Sequence, residues 1–157
     1  MNKRDEHFMK ILARKCVQRN DPYLSFLVYR DDDLITNPSW IETSTLPKPF
    51  AHSEMKSLAD SFHNNKNNVY ANDLHAATLY SSCQPCLMCL GTILTSGIGR
   101  LVYGATINDS SRYIIKEVEY DIDSVVAAVN TKLVIVKEVE RKKFVAVMKA
   151  VQQVRKL

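Results

Sequence analysis

Three cysteines at three-residue intervals, Cys83, Cys86 and Cys89, constrain this chain more than any other feature. Thiols this close along a chain pair, bind a metal or serve as reactive groups, and each use demands its own backbone. The clustering suits a metal site in a reducing compartment better than a disulfide framework. Pro85 sits where a helix can begin, and Gly97 where one running to Ser96 would stop. Cys86 and Cys89, at i and i+3, then share one face of the first turn, close enough to hold one ion. Backbone N–H groups point outward there and the macrodipole favours thiolates. By itself the CxxC segment stays open between a zinc ribbon, a redox pair and chance.

His52-Ser53-Glu54 narrows the choice. Ala51, Met55, Leu58, Ala59 and Phe62 fall on one face of a helix, with His52 and Glu54 on opposite borders of that face. From a first turn such border residues can reach past the helix end into a shared cavity. His52 then supplies a third ligand beside Cys86 and Cys89, leaving the fourth position to water, as catalytic rather than structural zinc sites do. Zinc lowers the pKa of such a water to about 7. Glu54 stands two residues from the ligand and is placed to take the released proton.

With 157 residues the chain is long enough for one buried core and too short for two ordinary domains, so residues 1–157 are read as a single domain. Residues 5–18 space Phe8, Ile11, Leu12 and Cys16 as an amphipathic helix, which Asp21-Pro22 breaks. Ser25–Arg30 and Leu34–Thr36 read as a hairpin around Asp31-Asp32-Asp33, and Asn37–Pro49 as a loop. Ala76–Ser82, Arg100–Gly104 and Lys132–Val136 are further strands, the last being the clearest. Helices are expected near Ser124–Val129 and over Arg141–Leu157. The alternation gives an α/β fold, a three-layer α/β/α sandwich with a five-strand mixed sheet. The N-terminus is too charged for a secretory signal and no apolar run approaches the roughly 20 residues of a membrane span, so the expected setting is cytoplasmic, with no membrane partner.

H-x-E followed by P-C-x-x-C is the signature of the zinc deaminases. The sequence resembles the cytidine deaminase-like superfamily, and locally the bacterial guanine deaminases and tRNA adenosine deaminases, through AHSEMKSL, LYSSCQPCLMCLGTIL and GRLVYGA. The resemblance runs from about Leu34 to Ala105. It implies the strand order of that fold, a Zn2+ cofactor held by His52, Cys86 and Cys89, and Glu54 as proton carrier while water replaces the amino group of a ring. It also implies an asparagine in the loop before the first motif that binds substrate. Asn37 is the best match, although it lies farther upstream of His52 than expected. Relatives are usually dimers, so a homodimer is the expected assembly. Relatives tend to carry glycine and alanine where this chain has Ser25–Tyr29, which implies a bulkier pocket floor.

A small-molecule nucleobase or nucleoside, guanine first, is the favoured substrate, on the flanks of SSCQPCLMCLG. The acidic pair that reads the guanine edge in those enzymes is reduced here to Asp109 or Glu117 in TINDSSRYIIKEVE. A tRNA adenosine deaminase is the alternative, favoured by GRLVYGA and the basic tail Arg141-Lys142-Lys143, Lys149, Arg155 and Lys156. RNA is less favoured because such charges are more often the solvated face of an amphipathic helix, and the net charge of +4 is modest. A catalytically silent zinc-binding module is the third reading, which Glu54 argues against. A purely structural site of His75, Cys83, Cys86 and Cys89 is disfavoured because Pro85 would turn Cys83 away. Cys16 reads as a packed thiol, and His7, His63 and His75 as surface residues. Trp40 lines the pocket mouth or pins its loop.

Overall fold

A computed structural model describes residues 2–28, 50–64, 74–129 and 131–155. The element order is α1 (Lys3–Arg19), β1 (Ser25–Val28), α2 (Ser53–Asn64), β2 (Thr78–Cys83), α3 (Leu87–Ser96), β3 (Arg100–Ala105), α4 (Ile107–Tyr113), α5 (Ile122–Ala128), β4 (Val134–Val136) and α6 (Arg141–Arg155). Their order in the sheet is β1-β2-β3-β4. β1 pairs antiparallel with β2, through Ser25 opposite Ser81, while β2–β3 and β3–β4 are parallel. The sheet is therefore mixed, as expected.

Two apolar clusters sandwich it. Phe8, Leu12 and Cys16 of α1 and Phe144, Val147 and Met148 of α6 pack with Phe26, Tyr80 and Val102 on one face. Leu58 of α2, Leu90 and Ile93 of α3 and Ile122 of α5 pack with Leu27, Leu79 and Leu101 on the other. Successive strand residues point to opposite faces, which is why Leu79 and Tyr80 fall in different clusters. The ring of Phe144 lies so close to Gly104 that a Cβ there would stand 2.1 Å from it. A glycine at this point of β3 lets α6 sit directly on the sheet.

Several expectations need correction. The sheet has four strands among the described residues, not five, because the expected return strand at Leu34–Thr36 lies outside them. Lys132–Val136 is not the clearest strand: only Val134–Val136 pair, at the sheet edge, and Val134 is 54% exposed. α1 ends at Asn20, whose left-handed φ of 51° caps it before Asp21-Pro22 is reached. α4 was not anticipated, although Thr106 and Asp109 form a reciprocal capping box at its start.

Candidate active site

His52 and Cys86 stand at the N-termini of α2 and α3. The Lys56 N–H donates to the His52 carbonyl and the Leu90 N–H to the Cys86 carbonyl, the bonds that open each helix. α3 closes as expected on Gly97, with φ of 76°. Its start falls two residues later than Pro85 alone suggests, so Cys86 is the cap and Cys89 lies in the first turn. Two positive helix ends thus converge beside the C-terminal end of β2, a natural place for thiolates and carboxylates.

The ligand atoms of His52, Cys86 and Cys89 all lie within 4.8 Å of one another. His52 Nδ1 is 3.5 Å from Cys86 Sγ, across 34 residues of sequence. Zinc–sulfur and zinc–nitrogen bonds of about 2.3 and 2.0 Å place tetrahedral ligands roughly 3.5–3.8 Å apart, so the group fits such an ion. Two thiols and an imidazole are also the donor set that suits zinc. Hydrogen bonding from the Cys89 thiol draws the Cys86 thiol down to about 4, helped by His52 and opposed by burial. The contact with Cys86, burial and the nearby Glu54 push Cys89 up. The Cys86 contact also raises His52.

Glu54 is buried at 7% exposure and belongs to the same cluster. Its Oε2 is 3.6 Å from Cys89 Sγ and accepts from the Ser53 hydroxyl at 3.2 Å. Its Oε1 accepts from the Ser81 hydroxyl at 2.8 Å. Burial raises its pKa, outweighing the hydrogen bonds that hold the charged form. His52, Glu54 and Cys86 line a cavity of about 130 Å³ with Tyr23, Ile115 and Glu117. That volume is about four waters' share of liquid, the scale of one small ring.

The remaining sequence candidates divide. Cys83 lies outside the metal group, at the end of β2 with its thiol 3.5 Å from the Thr106 carbonyl, and His75 is exposed. Cys16 is fully buried in the core and His7 is exposed. Asp109 is committed elsewhere: its carboxylate accepts from Thr106 and, at 2.8 and 3.0 Å, from Arg141. Glu117 lines the cavity, where burial and then the negative Cys86 raise its pKa. Ser25–Val28 are buried and none of them lines the cavity, while Tyr29, the last residue of the expected bulkier floor, lies outside the described residues. Asn37 and Trp40 lie outside the described residues, as does the side chain of His63.

Ser81, Ser53 and Tyr23 belong to the site without lying in either sequence motif as a ligand or proton carrier. A signal was present for Ser81, a hydroxyl inside an otherwise apolar strand.

A mixed sheet carrying a His/Cys/Cys group and a buried glutamate at the starts of two helices defines a deaminase of the cytidine deaminase-like fold. The chain belongs to the MafB19-like deaminase family, whose family model matches residues 4–156. It is 33% identical over 110 residues to the tRNA-specific adenosine deaminase of Buchnera aphidicola subsp. Schizaphis graminum, covering 68% of this chain and 69% of that one. It is 32% identical over 105 residues to that of Haemophilus influenzae, spanning 58% of the relative's length. Among solved structures it resembles the guanine deaminase of Nitrosomonas europaea, with a TM-score of 0.75 at 16% identity over 96% of this chain and 83% of the other. A structure from work on tRNA:A34 deaminases matches with a TM-score of 0.62 at 21% identity, over 90% of this chain and 98% of the other. At such identities these two likenesses carry the fold alone.

Proposed function

We propose that this deaminase depends on zinc and removes the exocyclic amino group of a free nucleobase or nucleoside, with a guanine-type ring as first candidate. The observation that carries the reading is the buried Glu54 carboxyl beside the His52, Cys86 and Cys89 ligand atoms in one cavity. Those three residues would hold the metal, which when bound acts as a Lewis acid that makes water acidic near neutral pH. Glu54 takes a proton from the attacking water, whose oxygen bonds to the ring carbon bearing the amino group. The same carboxyl delivers that proton to the ring nitrogen, then takes the remaining hydroxyl proton of the tetrahedral ring adduct and passes it to the amine, so that a C=O forms as the C–N bond breaks and ammonia leaves. A carboxyl whose pKa is raised by burial suits a group that both accepts and donates.

Glu117 supports the guanine-type reading. As a carboxylate it only accepts hydrogen bonds. Free guanine offers two ring N–H donors, one more than free adenine. tRNA adenosine is the second reading, supported by the 33% identity to the Buchnera enzyme. Against it, two of the three basic residues at the start of α6 are engaged within the protein: Arg141 with Asp109 and Glu138, and Lys143 with Glu140.

The test is ammonia release by zinc-loaded protein from free bases, nucleosides and tRNA, with Glu54→Ala as the blank. Guanine is expected to give a signal that the mutant loses. Inosine formed only in tRNA would favour the second reading, and no signal from any substrate would mark a silent module.

A further inference from the structure

Ser81 is 1% exposed and lies in β2 on the sheet face that carries Leu79 and meets α2. A hydroxyl buried there costs free energy unless it is hydrogen-bonded. Its single proton has two acceptors at 2.8 Å, the Cys83 carbonyl and Oε1 of Glu54. The carbonyl alone would satisfy it, so the contact with Glu54 exceeds what the serine itself needs. Glu54 gains more from the contact. Among the described side chains Ser81 is the hydrogen-bonding partner of Oε1, whereas Oε2 has Ser53 and the Cys89 thiol, and the Glu54 backbone N–H also supports the carboxyl. The facing Ser25 does not compete, because its hydroxyl is held by Ser57 at 2.8 Å.

We propose that Ser81 is the positioning residue of Glu54, pinning Oε1 so that Oε2 is the oxygen presented to the Cys89 side of the ligand group. The inference rests on the reading of Glu54 as the proton carrier. A free carboxyl would rotate about its terminal torsion, which is broad and roughly two-fold. One fixed oxygen removes that freedom. The Ser81 hydroxyl is itself held in place, between the Cys83 carbonyl and Oε1, so the contact has a fixed direction.

Infrared difference spectra of zinc-loaded protein, with and without Glu54→Gln in each Ser81 background, isolate the Glu54 carboxyl band. Ser81→Ala is expected to shift that band and Ser81→Thr, which restores the hydroxyl, to return it. An unshifted band in Ser81→Ala overturns the proposal whatever the substrate. With guanine, Ser81→Ala should lower kcat about 10- to 100-fold at unchanged KM and zinc content, because misplacing a reacting group costs factors of that size. Loss of zinc, or a rise in KM at constant kcat, would also overturn it. If wild-type protein releases no ammonia from guanine, the substrate reading fails, and the infrared result still decides the role of Ser81.

Discussion

Oε2 of Glu54 lies 3.6 Å from the Cys89 thiol, so the carboxyl that would move protons touches the group that would hold the metal. The contact joins residues 35 apart in sequence and separates two roles that mutation can distinguish. Glu54→Ala is expected to lower the rate of ammonia release by about 10²- to 10⁴-fold, the range of general acid–base catalysis, while zinc stoichiometry stays at the wild-type value. Atomic absorption and a coupled ammonia assay on one preparation check both halves. Retained activity would remove Glu54 from the mechanism.

Metal removal should be visible in stability as well as turnover. A ligand that binds only the folded state adds about 2.7 kcal/mol at one hundred times its Kd, which for a chain this size is roughly 5–10 °C in Tm. Chelated protein is expected to melt lower by that amount and recover with added zinc. Cys86→Ser should melt at one temperature with or without zinc. A wild-type Tm indifferent to zinc would count against the ligand assignment.

Glu117→Gln keeps the size of the side chain and removes its charge. Hydrogen bonds to charged groups contribute about 1.5–3 kcal/mol, so kcat/KM for guanine should fall about 10- to 100-fold, mainly through KM, with zinc content unchanged. Steady-state kinetics on guanine decide it, and an unaltered KM would mean that Glu117 lines the cavity without reading the ring.

Asp5, in α1, is fully buried and receives Arg100 of β3 through two bonds of 2.6 Å and the Tyr80 hydroxyl at 3.0 Å. Burial raises its pKa, but the Arg100 contacts outweigh it and hold the carboxyl below its ordinary value of 3.8. A depressed carboxyl contributes stability that is present above the unfolded-state pKa and lost as pH falls through the lower folded value. Asp5→Asn should therefore cost about 2–3 kcal/mol at pH 7, less than the roughly 3–5 kcal/mol of a fully buried broken pair because Arg100 keeps 24% of its side chain exposed. The gap should narrow below about pH 4. Urea unfolding at several pH values tests this, and a gap of constant size would assign the loss to packing instead.

Local signals in the chain specify some of its elements and not others. The helix carrying Cys89, its Gly97 stop and the amphipathic α1 and α6 follow from residues within a few positions of each other. The capping box of Thr106 and Asp109 is equally local, yet the seven residues of α4 carry too little periodicity to mark a helix. The opposite error befell residues 132–136. An apolar β-branched run reads alike at the edge or the centre of a sheet, since strand preference reports packing that the run itself does not contain.

The chemistry on offer is written along the chain: an imidazole, two thiols and a carboxyl, each placed at or beside the start of a helix by spacing that its neighbours specify. Which of these groups meet depends on how the elements pack. Asp109 and Glu117 were equal candidates along the chain until Arg141, 32 residues beyond Asp109, engaged Asp109, while Glu117 lined the cavity. Ser81 became a partner of Glu54 only when β2 packed against α2, across 27 residues. Periodicity says which face of an element is buried, whereas hydrogen bonds between elements depend on register and packing, which no single segment encodes.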